Sequence, residues 1–282
     1  MALNPGSRHH LNSPAFEDSS PATAWTRFRA QAVLWDCDST LSAVEGIDLL
    51  AQRRGVEVAD LTRKAMEGGL PLEEVYEARL QRIQPTAEDL EWLAAEYRRH
   101  QVPGARASVE TLAHAGVPSF VLSGGLRPAV VPFAESLGIP ERRVLAVPFQ
   151  SMKAEDLQRS LDHPLARDGG KWQLIQELCT EHGWQAEKLL LIGDGHSDLE
   201  AAAQIGMFIA FAGVAKRPKV VQASPVVIRA RDLSPVPAFA LPQSLWPQWQ
   251  EQNPSLYRRG RAALEDPDRV YLAAPWTPPP SR

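Results

Sequence analysis

At 282 residues the chain has room for one large domain, or one domain carrying an insertion, and 44% hydrophobic residues supply an ample core. A formal net charge of −4 gives no electrostatic case for nucleic acid or an anionic membrane surface, so any anionic ligand must be met by a few placed cations or a metal. Two cysteines, Cys37 and Cys179, exclude a disulfide framework or a cysteine metal cluster. No run approaches the roughly 20 apolar residues of a membrane span, and the N-terminus lacks the basic-then-apolar order of a signal peptide. A soluble cytoplasmic protein, monomeric or homodimeric, is expected.

Residues 1–28 hold Ser, Pro, His and Asn without periodicity and read as a flexible arm; His9 and His10 within it read as solvated. The first strand is expected over Ala32 to Asp36, an apolar run entering Asp36-Cys37-Asp38-Ser39-Thr40. Ser39 or Thr40 is placed to cap a helix beginning near Ser42. The two carboxylates then lie at the carboxyl end of a strand, where open α/β sheets hold ligands. In extended chain, positions i and i+2 share a face, which sends Cys37 away from them into a packing role. Side by side, like charges need either a cation between them or one retained proton. Both options stay open on this stretch alone.

From Ser42 to His100 the periodicity is helical: Val44, Ile47, Leu50 and Ala51, then Leu72, Val75, Tyr76, Leu80 and Ile83, then Leu90, Leu93 and Tyr97. Gly68-Gly69 with Pro71, and Gln84-Pro85-Thr86, punctuate it. This reads as a small helical insertion, residues 42–100, placed directly after the first strand. Past Pro103-Gly104 strands and helices alternate. A helix from Ala105 to His114 leads to a strand over Pro118 to Leu122, which ends at Ser123-Gly124-Gly125. A helix from Ala129 to Leu137 precedes a strand over Val144 to Phe149, and Lys153 to Asp168 is expected to form a hairpin or loop. Gly169-Gly170-Lys171 opens a helix to His182. The strand Leu189 to Ile192 ends at Gly193-Asp194-Gly195, followed by a helix near Asp198 to Gln204 and strands at Met207 to Phe211 and Val226 to Ile228. The alternation predicts an α/β fold with a doubly wound parallel sheet, its core at residues 29–41 and 101–235. A Pro/Trp-rich extension, 236–282, with Trp246, Trp249 and Trp276, has too many prolines for long helices.

Three strand ends carrying Asp-x-Asp, Ser-Gly-Gly and Gly-Asp-Gly fall on one edge of a parallel sheet, and Lys171 at a helix start reaches the same edge. Together these residues resemble the haloacid dehalogenase superfamily of aspartate-nucleophile phosphatases, which carry Asp-x-Asp-x-Thr, a Ser or Thr, a Lys and a final acidic loop in this order. Glu45-Gly46-Ile47-Asp48, Lys64-Ala65-Met66-Glu67-Gly68-Gly69 and Gly193-Asp194-Gly195-His196-Ser197-Asp198-Leu199-Glu200-Ala201 make the resemblance closest to its phosphoserine phosphatase subfamily. The likeness spans residues 31–235 and makes the insertion a small cap on a Rossmann-like core.

The resemblance implies a Mg²⁺-dependent phosphomonoesterase acting on O-phosphoserine or another small phosphate monoester, such as phosphohomoserine or a sugar phosphate. It makes Asp36 the nucleophile and Asp38 the general acid and base. Asp36, Asp194 and the Asp38 backbone carbonyl would bind the metal, with Thr40 and Asp198 supporting. Ser123, the Gly124 amide and Lys171 would hold the phosphoryl oxygens, and Glu45, Met66, Arg79, Gly125 and Ser197 would contact the rest of the substrate. Two departures stand out: Leu72 where many bacterial relatives have Phe, and His196-Ser197 where they have Ala-Asn. A non-catalytic binding module on the same fold would have eroded this set, and a sugar transferase using Asp-Cys-Asp as a metal clamp would need a nucleotide motif that the chain lacks.

Overall fold

The computed structural model describes residues 28–61 and 71–273. The N-terminal arm, His9, His10, Met66 with its Lys64–Gly69 motif, and Trp276 lie outside the described residues. Seven strands form one sheet: β1 (Ala32–Trp35), β2 (Ser119–Leu126), β3 (Val144–Val147), β4 (Leu189–Gly193), β5 (Met207–Phe211), β6 (Val226–Ile228) and β7 (Val270–Leu272). Their order is β3-β2-β1-β4-β5-β6-β7. The first six are parallel and β7 closes the edge antiparallel to β6. The chain winds from β1 outward through β2 to β3, then returns to β4 on the other side of β1. The winding direction therefore reverses between β1 and β4, and a crevice opens at their carboxyl ends.

The central strands are buried on both faces, which is why they read as continuous apolar runs rather than alternating ones. Val33, Trp35, Leu190, Ile192, Ile209 and Phe211 point to one face. Ala32, Leu34, Leu189, Leu191, Phe208 and Ala210 point to the other. The insertion holds α1 (Gly46–Arg54), α2 (Leu72–Ile83) and α3 (Ala87–Arg99). α3 starts with a complete capping box between Thr86 and Asp89. Next come α4 (Ala105–His114) and α5 (Arg127–Ser136), which pack on the first face. The core meets the insertion where the chain leaves and returns: Ala43 N–H donates to the His100 carbonyl (2.8 Å) and Val102 N–H to that of Leu41 (2.9 Å).

Several local expectations are corrected. No helix begins at Ser42; α1 begins at Gly46, and neither Ser39 nor Thr40 caps it. The chain instead makes a tight turn over Cys37–Leu41, with Ser39 in the left-handed region (φ 52°), and continues extended through Ser42. β2 runs on to Leu126, because a register shift against β3 carries Ser123-Gly124-Gly125 inside the strand end. Lys153 to Asp168 contains a helix, α6 (Ala154–Leu161), and a short helical turn at Pro164–Ala166. Its Leu161 and Leu165 are buried, a two-residue apolar anchor too sparse to show as periodicity.

On the second face lie α7 (Gly170–His182), α8 (His196–Ala202) and α9 (Pro218–Ala223). The extension folds onto the first face as α10 (Val236–Ala240), α11 (Trp246–Gln252) and α12 (Pro254–Leu264) before β7. Proline occupies the first turn of each of these helices, where its missing N–H is unpaired in any case. The prolines there start short helices, the longest among the described residues running 11 residues, in keeping with the absence of long ones expected from the composition.

Candidate active site

Asp36 follows β1 directly, its N–H still donating to the Ile192 carbonyl of β4 at 2.9 Å. Asp194 follows β4, so strand pairing alone sets these two carboxylates side by side. Lys171 comes from the first turn of α7. That helix start is pinned by Gly170, where a Cβ would collide with the Pro164 carbonyl, so the Pro164–Ala166 turn and α7 meet with no room for a side chain. The Lys171 ammonium reaches Asp36 Oδ1 at 3.0 Å and Asp198 Oδ1 at 2.6 Å. Asp198, fully buried, also accepts from Gly195 N–H at 3.1 Å. Burial would lower the Lys171 pKa, but Asp198 and then Asp36 outweigh it and hold the ammonium charged.

Asp38 turns into the same space. Its Oδ1 accepts from Gly46 N–H (2.5 Å) and from the Tyr97 hydroxyl (2.9 Å). Burial, then the charges of Glu45 and Asp36, raise its carboxyl to about 7. Burial likewise raises Asp198 to about 6, against the pull of Lys171. Asp194 is raised for the same first reason, and Arg217 opposes the shift. Oxygens of Asp36, Asp194 and Asp198 lie within 4.8 Å of one another. Asp36, Asp38, Glu45, Asp194 and Asp198 face Lys171 and Arg217 around this floor, an excess of carboxyl groups over cations. A cluster of hard oxygen donors with uncompensated negative charge fits a divalent cation of the Mg²⁺ type.

A cavity of ≈ 150 Å³ lies above the floor, lined among others by Asp36, Asp38, Glu45, Gly124, Gly125, Arg79, Lys171, Asp194 and Ser197. The insertion roofs it: the Tyr76 hydroxyl of α2 donates to the Gly124 carbonyl (2.9 Å), and Leu72 N–H to Asp168 (3.3 Å). Arg79 is 7% exposed and pairs with Asp48 at 3.0 Å, while its Nε has no hydrogen-bond partner among the described residues. Ser123 and Thr40 do not line the cavity but stand behind it. Ser123 Oγ accepts from Gly125 N–H (3.0 Å) and lies 3.4 Å from Asp38 Oδ2; Thr40 Oγ1 lies 3.4 Å from Asp194 Oδ1. His196, at the start of α8, sits 3.3 Å from Glu200 and is half-exposed on the rim. Cys37 is fully buried in the apolar core, pointing away from the carboxylates.

Arg217 was not legible beforehand. It lies in the loop after β5, ahead of α9, and its guanidinium bridges Glu45 (2.8 Å) and Asp194 (2.7 Å). Ala215-Lys216-Arg217-Pro218 reads locally as an exposed basic turn, and only the sheet order brings it over β4. In the sequence Tyr76 and Tyr97 show only as members of apolar stripes.

Paired carboxylates, a buried ammonium and a small roofed cavity at the switch of a doubly wound sheet define a hydrolase site for a compact anion. Residues 33–203 match the haloacid dehalogenase-like hydrolase family, and the chain belongs to it, as a phosphoric monoester hydrolase. Within that family the similarity is to phosphoserine phosphatases. The mouse phosphoserine phosphatase is 38% identical over 194 residues, covering 68% of this chain and 85% of its own length. A substrate-bound phosphoserine phosphatase structure superposes with TM-score 0.62 at 27% identity, covering 73% of this chain and 95% of that one. A phospho-aspartyl intermediate analogue of phosphoserine phosphatase gives TM-score 0.61 at 28% identity, over 73% and 96%.

Proposed function

We propose that the chain hydrolyses O-phosphoserine to serine and phosphate through an aspartyl-phosphate on Asp36, with Mg²⁺ as cofactor. The observation that carries this reading is the Asp36–Lys171–Asp198 chain of contacts with Asp38 beside it, at the floor of a cavity only large enough for a small metabolite. The similarity to phosphoserine phosphatases, one of them bound to substrate and one an analogue of a phospho-aspartyl intermediate, supports the same substrate and intermediate here.

Asp36 Oδ attacks phosphorus as the bond to the serine oxygen breaks. Lys171 and the Gly124 amide draw off charge from the phosphoryl oxygens, with Ser123 behind them fixing the loop through Gly125. Asp38, raised to about 7, holds a proton near neutrality and delivers it to the leaving alkoxide; once ionised it takes a proton from the water that cleaves the acyl phosphate. Asp36, Asp194 and the Asp38 main-chain carbonyl are the groups that would hold Mg²⁺, which when bound neutralises phosphoryl charge. The serine ammonium is met by Glu45. The substrate carboxylate is met by the Arg79 guanidinium, whose Nε has no partner among the described residues. Leu72 and Ser197 complete the wall, and Met66 is assigned to it by resemblance alone.

Asp36→Asn tests the nucleophile: phosphate release from phosphoserine is expected to fall by about 10⁴-fold or more, with the fold retained by circular dichroism. Retained turnover would refute the assignment. A panel of small phosphate monoesters, phosphohomoserine and sugar phosphates included, tests the substrate, since stronger turnover elsewhere would overturn phosphoserine.

A further inference from the structure

Tyr97 is fully buried in α3, its ring stacked on Phe133 of α5 with centroids 5.6 Å apart. Its position in an apolar stripe marks it as core, yet a core Phe would pack as well, and the hydroxyl has a specific partner. It donates to Asp38 Oδ1 at 2.9 Å, the oxygen that also accepts from Gly46 N–H. A Cβ on Gly46 would collide with the Tyr97 hydroxyl, so the backbone at Gly46 leaves this side chain its place. Oδ1 thus takes two close donors while Oδ2 has one long contact, from the Ser123 hydroxyl at 3.4 Å, so the carboxyl proton is directed to Oδ2, the oxygen on the Ser123 and Gly125 side.

We propose that Tyr97 is a positioning residue for leaving-group protonation: it saturates Oδ1 of Asp38 and turns Oδ2 toward the ester oxygen. The proposal rests on the reading of Asp38 as the acid. As the serine O–P bond breaks and the Asp36 O–P bond forms, the proton on Asp38 Oδ2 passes to the serine oxygen. The Tyr97 hydroxyl keeps its own proton throughout. Negative charge then appears on the Asp38 carboxylate, and the bond from Tyr97 becomes charge-assisted and stronger. An interaction that strengthens along the reaction lowers the barrier rather than merely binding the ground state.

The test compares phosphoenzyme formation, by acid quench of radiolabelled protein, from phosphoserine and from acetyl phosphate. An alkoxide needs a proton to leave, whereas acetate does not. Tyr97→Phe is expected to slow phosphorylation by phosphoserine about tenfold and by acetyl phosphate less than about twofold. Phe133→Leu, which disturbs the same stack but keeps the hydroxyl, is expected to lower the melting temperature and leave the ratio of the two rates at the wild-type value. Equal slowing of both substrates by Tyr97→Phe, or a Phe133→Leu variant with the same altered ratio, would overturn the proposal. Asp38→Asn separates the two readings: if it slows both substrates equally, the acid role of Asp38 fails by itself; if it discriminates and Tyr97→Phe does not, only the Tyr97 proposal fails.

Discussion

Asp38 carries an electrostatic penalty, because burial, Glu45 and Asp36 all disfavour its ionised form. The sign for stability follows from linkage. Its folded pKa of about 7 lies above the ordinary carboxyl value of 3.8, so its ionisation weakens the fold as pH rises. Relative to an unperturbed carboxyl, nothing is lost below about pH 4; the loss grows through the window up to about pH 7 and is constant above it. Asp38→Asn keeps an acceptor at the position taken by Oδ1 while removing the charge. In the presence of a chelator it is expected to match the wild type near pH 4 and to exceed it by a few kcal/mol above pH 7. Urea denaturation across this range checks it; a difference independent of pH would show that the penalty does not reside on this group. The same residue is then costly for the fold and, in the proposed mechanism, the acid, a combination common where function sets the pKa.

Among the elements, the C-terminal extension is the one whose placement the composition left open. Proline counts argue against long helices, and the helices are short: Pro237, Pro247 and Pro254 each stand in a first turn, and the helices they open bury Phe239, Trp249 and Leu256 against the sheet. α12 approaches closely at Gly260, where a Cβ would lie 2.4 Å from the Ser234 carbonyl oxygen. Gly260→Ala therefore sets two effects against each other. Helix propensity favours Ala by up to about 1 kcal/mol, while forced separation of packed backbone costs about 1–3 kcal/mol. The clash is with backbone and cannot relax by a rotamer change, so net destabilisation is expected. It should appear as a lower denaturation midpoint with kcat unchanged, since no residue of α12 lines the cavity. A stabilised variant would refute this account of the packing.

For the molecule as a whole, the site gathers carboxyl groups from β1, the insertion, β4 and α8, against cations from α7 and the β5–α9 loop. Ligands that bind only the folded state stabilise it, so Mg²⁺ at a hundred times its dissociation constant should add about 2.7 kcal/mol. Thermal melts with and without Mg²⁺ should show a rise that Asp194→Asn abolishes; an equal rise in that variant would place the ion elsewhere. The local chemistry was legible in one dimension: Asp36 and Asp38 are two residues apart, and Gly193-Asp194-Gly195 and Gly169-Gly170-Lys171 announce strand and helix ends by apolar run and glycine. The strand–helix alternation likewise implied the parallel sheet, because a crossover of that length joins parallel neighbours. Arg217, the hydroxyls of Tyr76 and Tyr97, and the docking of the extension depended on the tertiary structure. They are contacts between segments far apart in the chain, and a residue's periodicity records that it is buried but not what its one polar atom will meet.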